Sequence, residues 1–325
     1  MMLIRPRRNR RTLAIRSLTQ EVDLLPRNLV LPLFVVEGKG VRDPISSMPG
    51  CARLSIDRVV AAAREASALG IQGLALFPRI EEARKDSVAS ESKNPDNLLL
   101  RTIRELKNSV PELSLFTDVA LDPYSTDGHD GLVRDGKILN DETLPILAEM
   151  AIAQARAGAD WIAPSDMMDG RVGSIRRALD EAGFVETGIL SYCAKYASAF
   201  YGPFRDALDS APRAGDKKTY QMDPHNRREA MREAQLDLDE GADALMVKPA
   251  LSYLDVVSDF AREFPVPIAA YFVSGEYSMM HAAAQAGWLD LNAAMMESHV
   301  AVRRAGAGMI FTYAALDLAR QLGEG

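Results

Sequence analysis

A short unit recurs along this sequence: an amphipathic helix ends at a glycine, and a short apolar strand follows within a few residues. Gly158, Gly241 and Gly306, each followed by an alanine, mark three of these boundaries. The unit predicts eight strands, which lie at 29–36, 71–77, 113–121, 161–163, 188–192, 244–247, 268–273 and 309–313. This repeat is typical of the α/β class and of a closed (β/α)8 TIM barrel. The alternative is an open doubly wound sheet, but no Gly-x-Gly-x-x-Gly motif follows an early strand.

The start of the chain differs in charge from the rest. The first sixteen positions contain no acidic residue but six arginines, which are Arg5, Arg7, Arg8, Arg10, Arg11 and Arg16. We therefore expect two parts: an extended N-terminal arm at 1–28 for subunit contacts and a catalytic barrel at 29–325. The acidic surface of a neighbouring subunit is the favoured partner of such an arm. A polyanion and an organelle transit function are the alternatives.

Composition limits the kind of protein further. The 325 residues carry a net charge of −7, which argues against nucleic acid as the main partner. No apolar run reaches the roughly 18–20 residues that a membrane span requires, and charged residues interrupt any secretory signal near the start. Cys51 and Cys193 are too few for a disulfide framework or a thiolate metal site. We expect a cytoplasmic protein with no nucleic-acid and no membrane partner.

Lys248 stands at the carboxyl end of the sixth predicted strand, just before Pro249. In a barrel of this kind, the chemistry lies at the carboxyl ends of the strands. A lysine held there is dry enough to lose its proton and open enough to meet a carbonyl group, as Schiff-base catalysis requires. The alternative is a structural lysine that extends into solvent.

Lys195 follows the fifth predicted strand, so a second lysine is expected beside Lys248. Neighbouring strands lie about 5 Å apart, which lets both side chains share one pocket. Burial and mutual repulsion lower the pKa of an ammonium group, and the neutral amine is the form that attacks a ketone. Other strand ends supply polar side chains to the same edge, and these are Asp118, Ser165, Asp169, Ser274 and Tyr313.

Five segments carry a resemblance to a known family. They are DVALDPYSTDGHDG at 118–131, SYCAKYASAFYGPFR at 191–205, MVKP at 246–249, VSGE at 273–276 and TY at 312–313. With these segments in this order, the chain resembles the porphobilinogen synthases, or 5-aminolevulinate dehydratases, over nearly its full length. The resemblance implies a hydro-lyase of tetrapyrrole biosynthesis. Such an enzyme condenses two molecules of 5-aminolevulinate asymmetrically into porphobilinogen, with loss of two waters.

The resemblance also implies roles for individual residues. Lys248 would form the Schiff base with the first substrate, and Lys195 would bind the second as a Schiff base or act beside it. Asp118 and Ser165 are further substrate-binding positions. Ser274 and Tyr313 would bind the carboxylate of the first substrate, and that of the second would be bound by Arg205, Lys217 and Gln221. The last three lie on a charged loop, 202–221, which either closes over an anion or is simply solvated. Lys217 stands where the family often has arginine, and a lysine offers no bidentate grip.

The acidic loop bears on the metal requirement. Zinc-type relatives carry three cysteines where this chain has Ala120, Asp122 and Asp130, so the chain resembles the aspartate-rich, zinc-independent branch. Asp122 and Asp130 favour a hard active-site cation over zinc, and His129 is either a ligand or a structural hydrogen-bond partner. The resemblance implies allosteric magnesium at Glu233 and a homo-oligomer, typically an octamer. We expect no zinc and no organic cofactor.

Two other functions compete with this prediction. An aldolase-type Schiff-base barrel needs one reactive lysine and usually a phosphate-binding loop, whereas this chain offers two lysines and no Gly-rich phosphate loop. A catalytically silent barrel that serves assembly or anion binding would not need both lysines and the charged loop. The dehydratase activity is therefore the favoured prediction.

Overall fold

Eight parallel strands form the centre of the molecule within the residues that the structure, a computed structural model, describes (2–210 and 212–323). These strands are Leu29–Val35, Gly73–Pro78, Ser114–Val119, Trp161–Pro164, Gly188–Lys195, Ala244–Lys248, Ile268–Phe272 and Met309–Thr312. Each strand pairs with the next one, and the eighth pairs with the first, where Leu29 lies opposite Ile310. The sheet is thus a closed barrel, and the predicted (β/α)8 fold is confirmed.

Helices surround the barrel. Those that follow the strands are Ile56–Ala68, Leu98–Ser109, Asn140–Ala157, Arg171–Glu181, Arg228–Asp239, Leu254–Glu263, Ser274–Gln285, Leu291–Ala305 and Ala315–Gly323. Gly158 and Gly306 end two of them with φ angles of 111° and 123°, a conformation that side chains with a Cβ rarely adopt. The helix–glycine–strand unit of the sequence is therefore the repeating unit of the fold. Across the described part of the chain, no helix has the length and apolar character to cross a bilayer.

Two element boundaries near the site differ from the prediction. The fifth strand continues to Lys195, beyond its predicted end, because Lys195 still pairs with Lys248 on the sixth strand. The helix after the seventh strand begins at Ser274 and not at Tyr277. Apolar periodicity marks where a segment is buried, but it does not show how far strand pairing or helical turns continue.

Aromatic side chains fill the barrel below its carboxyl edge. Phe34 stacks on Tyr313 with ring centroids 5.7 Å apart, and Tyr271 lies 6.1 Å from the same ring. Phe77 meets Phe204 edge to face at 5.3 Å. This layer excludes water from the floor of the barrel mouth, where charged groups consequently interact more strongly.

The N-terminal arm lies on the outside of the molecule. It contains a short 3-10 helix, Pro6–Arg10, and an α-helix, Leu13–Thr19, and neither has a buried residue. Its large exposed apolar side chains are Met2, Leu3, Ile4, Leu13, Leu18 and Leu25. The functional division of the chain at residue 28 stays a prediction.

Two loops extend from the carboxyl ends of the strands. A hairpin of two short antiparallel strands, Leu132–Arg134 and Lys137–Leu139, follows the third barrel strand. The loop 202–221, which we call the lid, begins with the helix Gly202–Leu208 after the fifth strand. The sequence predicted this loop but not its helix.

Candidate active site

Lys195 and Lys248 lie side by side at the carboxyl ends of the fifth and sixth strands. They are register partners on adjacent parallel strands, so both side chains leave the barrel at the same edge. Each is 6% exposed, and both line a cavity of about 30 Å³ that the lid covers. The structure therefore brings the two lysines into one pocket.

Aromatic rings surround the amine of Lys248. Its Nζ lies 4.5 Å from the ring centre of Tyr271, 5.1 Å from Phe204, 5.2 Å from Tyr192 and 5.3 Å from Tyr201. Burial, followed by the positive charge of Lys195, lowers the pKa of Lys248 to about 7, although Asp118 opposes the shift. A large fraction of this amine is therefore neutral near pH 7 and able to act as a nucleophile.

Lys195 has a different environment. Its Nζ donates a hydrogen bond to Asp130 Oδ2 at 3.1 Å and another to the main-chain carbonyl of Ser165. Asp130 is completely buried, and the ion pair compensates a charge that would otherwise be costly in the interior. The two lysines thus differ in kind, because one is ion-paired and the other is enclosed by rings.

Asp118 brings a carboxyl group to the same cavity from the third strand. Burial and then the negative charge of Asp122 raise the pKa of Asp118 to about 6, while Lys195 opposes the shift. Its Oδ1 has no hydrogen-bond partner among the described residues. A carboxyl group with a pKa near neutrality can accept and return a proton during catalysis.

Lys217 extends from the lid into the acidic loop. Its Nζ lies 2.5 Å from Asp130 Oδ1 and 3.2 Å from Asp122 Oδ2. Burial opposes the charged forms, yet the pKa of Lys217 is raised and that of Asp130 is lowered, because the opposite charges and hydrogen bonds outweigh desolvation. The ammonium of Lys217 therefore lies between the two carboxylates that the sequence suggested for a bound cation.

The acidic loop, as arranged here, does not fit a divalent metal. Within 2–210 and 212–323, no group of three or more His, Cys, Asp or Glu side chains is placed to hold a metal ion. Asp122 and Asp130 are both engaged by the lid lysine. Both ring nitrogens of His129 form hydrogen bonds. Of the two roles expected for this residue, metal ligand or structural hydrogen-bond partner, these contacts match the second.

Glu233 lies outside this cavity, on the helix Arg228–Asp239. Its side chain is half-buried, and burial raises its pKa. It lines a separate cavity of about 280 Å³ together with Asn140, Asp169 and Glu229. Magnesium keeps most of its water ligands and needs only one or two carboxylates, so this donor set fits that ion.

Ser165, Arg205 and Gln221 also line the cavity between the lysines. Ser165 comes from the end of the fourth strand, and the other two come from the lid. Arg205 forms no ion pair within the described residues, so its guanidinium is available to an anionic ligand. Gln221 Oε1 is buried without a hydrogen-bond partner in the same part of the chain. An anionic group would find a partner in the Arg205 guanidinium, whereas the amide oxygen of Gln221 lacks a donor.

Ser274 and Tyr313 do not line this cavity. Ser274 Oγ accepts the main-chain N–H of Phe204 at 3.0 Å, and Tyr313 Oη lies 3.1 Å from Tyr271 Oη. Phe204 and Tyr271 are two of the rings around Lys248. Ser274 and Tyr313 thus contact two of the residues whose rings enclose Lys248.

The aromatic enclosure of Lys248 was missed by sequence reasoning. Tyr192 and Tyr271 reach it from the fifth and seventh strands, Tyr201 from the turn just before the lid, and Phe204 from the lid itself. The rings in the segment 191–205 were the available signal. Their spacing is equally typical of an ordinary core, and only closure of the barrel shows that the core extends to the amine.

Lysine-based carbonyl chemistry is what this arrangement can perform. The low pKa of Lys248 supplies a nucleophile, and Asp118 can exchange protons beside it. Fold and site together define the class of enzymes built on a (β/α)8 barrel with a buried lysine pair at its carboxyl edge.

Comparison with known proteins identifies the family within this class. The model of the family described as "Delta-aminolevulinic acid dehydratase" matches residues 3–321. The chain therefore belongs to the delta-aminolevulinic acid dehydratase family.

Individual relatives agree with this assignment. The chloroplastic delta-aminolevulinic acid dehydratase of Physcomitrium patens is 56% identical over 328 residues, which cover 99% of this chain and 75% of the relative. That of Bradyrhizobium diazoefficiens is 52% identical over 320 residues, covering 98% and 91%. The Toxoplasma gondii enzyme, crystallised with its reaction product porphobilinogen, is 51% identical with a TM-score of 0.98, covering 99% of this chain and 92% of that one.

Proposed function

We infer that this chain condenses two molecules of 5-aminolevulinate asymmetrically into porphobilinogen with loss of two waters, a lyase reaction of tetrapyrrole biosynthesis. Family membership, the dehydratase relatives and the structure solved with porphobilinogen support this activity. The observation that carries the chemistry is the pair of adjacent buried lysines, of which Lys248 has a pKa of about 7.

Lys248 begins the reaction as the nucleophile. Its neutral amine attacks the ketone carbon of the first substrate, and the ketone oxygen leaves as water once the Schiff base forms. Asp118, with a pKa of about 6, donates the proton that the departing hydroxyl requires and takes one back later. The rings around Lys248 exclude bulk water from the nitrogen until the substrate arrives.

Lys195 acts on the second substrate. It either transfers its proton to Asp130 and forms a second Schiff base, or it stays charged and polarises the second ketone from beside it. A C–C bond and a C–N bond then join the two substrates into the pyrrole ring. Both ketone oxygens leave as water, and each lysine that formed a Schiff base regains its free amine when the ring is released, so the atoms balance.

Different residues bind the two substrate carboxylates. Arg205, Lys217 and Gln221 of the lid hold the carboxylate of the second substrate. Ser274 and Tyr313, which contact residues of the ring enclosure, hold that of the first after those rings move. The closed cavity of about 30 Å³ has room for a few waters at most, so the lid opens to admit either substrate.

The chain falls in the aspartate-rich, zinc-independent branch of the family. Ala120 offers no ligand atom, and the carboxylates of Asp122 and Asp130 already bind an ammonium group. The active site therefore carries its own positive charge where a cation would otherwise lie, and no step of the reaction passes through a metal there. Glu233 would hold allosteric magnesium in its separate cavity, where the ion would supply a structural link outside the site of the chemistry.

The active form is a homo-oligomer, an octamer, in the cytoplasm. Exposed apolar side chains along the arm support its burial against a neighbouring subunit. The names of the plant relatives assign those proteins to chloroplasts, whereas the bacterial relative carries no such term.

Incubation with 5-aminolevulinate alone tests the activity, since the pyrrole product gives a coloured adduct with an aldehyde reagent. We expect Lys248→Ala to lower turnover on the order of 10³-fold or more and to abolish covalent trapping of substrate by borohydride. Lys218→Ala, which removes an exposed lysine of the lid, is the matched control and should leave both intact. Full turnover in Lys248→Ala would refute the mechanism.

A further inference from the structure

His129 joins the acidic loop to the lid. Its Nδ1 lies 3.0 Å from the hydroxyl of Tyr220, and its Nε2 lies 2.9 Å from the main-chain carbonyl of Ala214. Both partners belong to the lid, whereas His129 follows the third barrel strand. Its side chain is buried, and the two rings meet edge to face with centroids 6.0 Å apart.

Hydrogen-bond chemistry fixes the protons of this group. A carbonyl oxygen only accepts, so Nε2 of His129 carries the proton and donates to Ala214. Nδ1 is then the acceptor, and the Tyr220 hydroxyl donates to it. The same hydroxyl oxygen accepts the main-chain N–H of Asp130 at 3.3 Å. The hydrogen bonds thus run in one direction, from Asp130 through Tyr220 and His129 to Ala214.

This chain of hydrogen bonds begins at Asp130, which contacts two lysines of the candidate active site. The Asp130 carboxylate holds both Lys195 and Lys217, and its own backbone is held by Tyr220. Lys217 and Gln221 lie on either side of Tyr220 in the lid and line the cavity. The Tyr220 hydroxyl therefore links the lid to the main chain of the residue whose carboxylate holds both lysines.

We propose that His129 and Tyr220 form a latch that holds the lid closed and makes His129 a positioning residue for the second substrate. Lid residues Arg205, Lys217 and Gln221 line the cavity of the two lysines, so the lid opens to admit 5-aminolevulinate, and the latch must form again before the two substrates can react. The proposal rests on the proposed function for its kinetic part, whereas lid opening itself can be measured without any substrate.

Tyr220→Phe tests the latch in the ligand-free enzyme by hydrogen exchange. This change keeps the ring but removes both bonds of the hydroxyl. We expect the Arg213 amide, which the closed lid holds against Asp127 at 3.0 Å, to exchange about tenfold faster, while amides of the barrel strands keep their rates. Tyr196→Phe removes a hydroxyl bond to Asn226 outside the lid and is the matched control, with lid exchange unchanged.

Two substitutions of His129 separate the halves of the latch. An asparagine amide reaches the position of Nδ1, and a glutamine amide reaches that of Nε2. His129→Asn should retain the bond to Tyr220 and His129→Gln the bond to Ala214. Each should accelerate lid exchange about two- to tenfold, less than His129→Ala does.

Kinetics then link the latch to catalysis. Tyr220→Phe should lower kcat about tenfold, in parallel with faster lid exchange, and leave the borohydride trapping of the first substrate on Lys248 unchanged. Unchanged lid exchange, or acceleration that extends equally to the barrel strands, would overturn the latch. Loss of trapping in the unaltered enzyme would instead contradict the proposed function and leave the exchange result standing.

Discussion

Lys248 and Lys195 illustrate how the position of one carboxylate separates the chemistry of two identical side chains. An exposed lysine has a pKa of about 10.4. Asp130 lies against Lys195 and gives it an ion-pair partner, whereas Lys248 is enclosed by rings. The charge of Lys195 then adds to burial in lowering the pKa of Lys248. Lys248 is thus the nucleophile because burial and the charge of Lys195 outweigh the nearby carboxylates.

The pKa of Lys248 predicts how activity depends on pH. Because the neutral amine is the nucleophile, the rate of substrate trapping should rise as the pH increases through about 7. Lys195→Met removes a positive charge that lowers this pKa, so the rise should move to higher pH. The measurement is the initial rate of borohydride trapping of a single substrate between acid and alkaline pH. A profile in Lys195→Met that stays in place or moves toward acid would contradict the coupling of the two lysines.

The sequence predicted the residues of the site more fully than their contacts. Lys195 and Lys248 could be paired from strand order alone, because neighbouring strands of a barrel end at one edge. The contacts of Lys217 with Asp122 and Asp130 could not, since they join a lid to a loop about ninety positions away through side-chain geometry. Periodicity reports burial, and it carries no information on which buried charges meet.

At the scale of elements, helix ends were predicted well where a glycine marks them. Gly158 and Gly306 end helices close to the expected positions because the chain turns there with a positive φ. The predicted start at Tyr277 was wrong, since that helix begins at Ser274, where no turn with a positive φ marks the boundary. The lid helix Gly202–Leu208 was also not predicted, since its position depends on contacts with other elements, such as that of Phe204 with Ser274.

Gly306 offers a test of this account in terms of stability. A Cβ at this position would lie 2.3 Å from the Cβ of Ala261, and φ is 123°. We expect Gly306→Ala to lower the free energy of unfolding by about 2–4 kcal/mol. Gly287→Ala is the control, because φ is also positive there but no other atom lies within 4 Å of the added Cβ. Its cost should be about 1 kcal/mol.

Denaturant titration of both variants at one protein concentration provides the measurement. Equal losses in the two would show that backbone conformation alone decides the outcome and that the packing of Gly306 against Ala261 contributes nothing.

For the whole molecule, we predict that a metal affects assembly and not the chemistry. The active site holds the Lys217 ammonium between its carboxylates, whereas Glu233 lines a different cavity. We expect a zinc-specific chelator to leave activity within about twofold and added magnesium to stimulate it. Glu233→Gln should lose the response to magnesium and keep substrate trapping on Lys248. Glu181→Gln, at an exposed helical position, should behave as the unaltered enzyme. Activity that chelation removes and only zinc restores would contradict this prediction.

The small volume beneath the closed lid sets an upper limit on how fast any sizeable molecule can associate with the enzyme. At high concentration, the observed binding rate of a keto acid that lacks the amino group should reach a plateau equal to the frequency of lid opening. Rapid-mixing experiments would show this plateau, and a rate that kept rising in proportion to concentration would show an entrance that never shuts. Gated entry of this kind would let slow, tight inhibitors remain bound long after their free concentration has fallen.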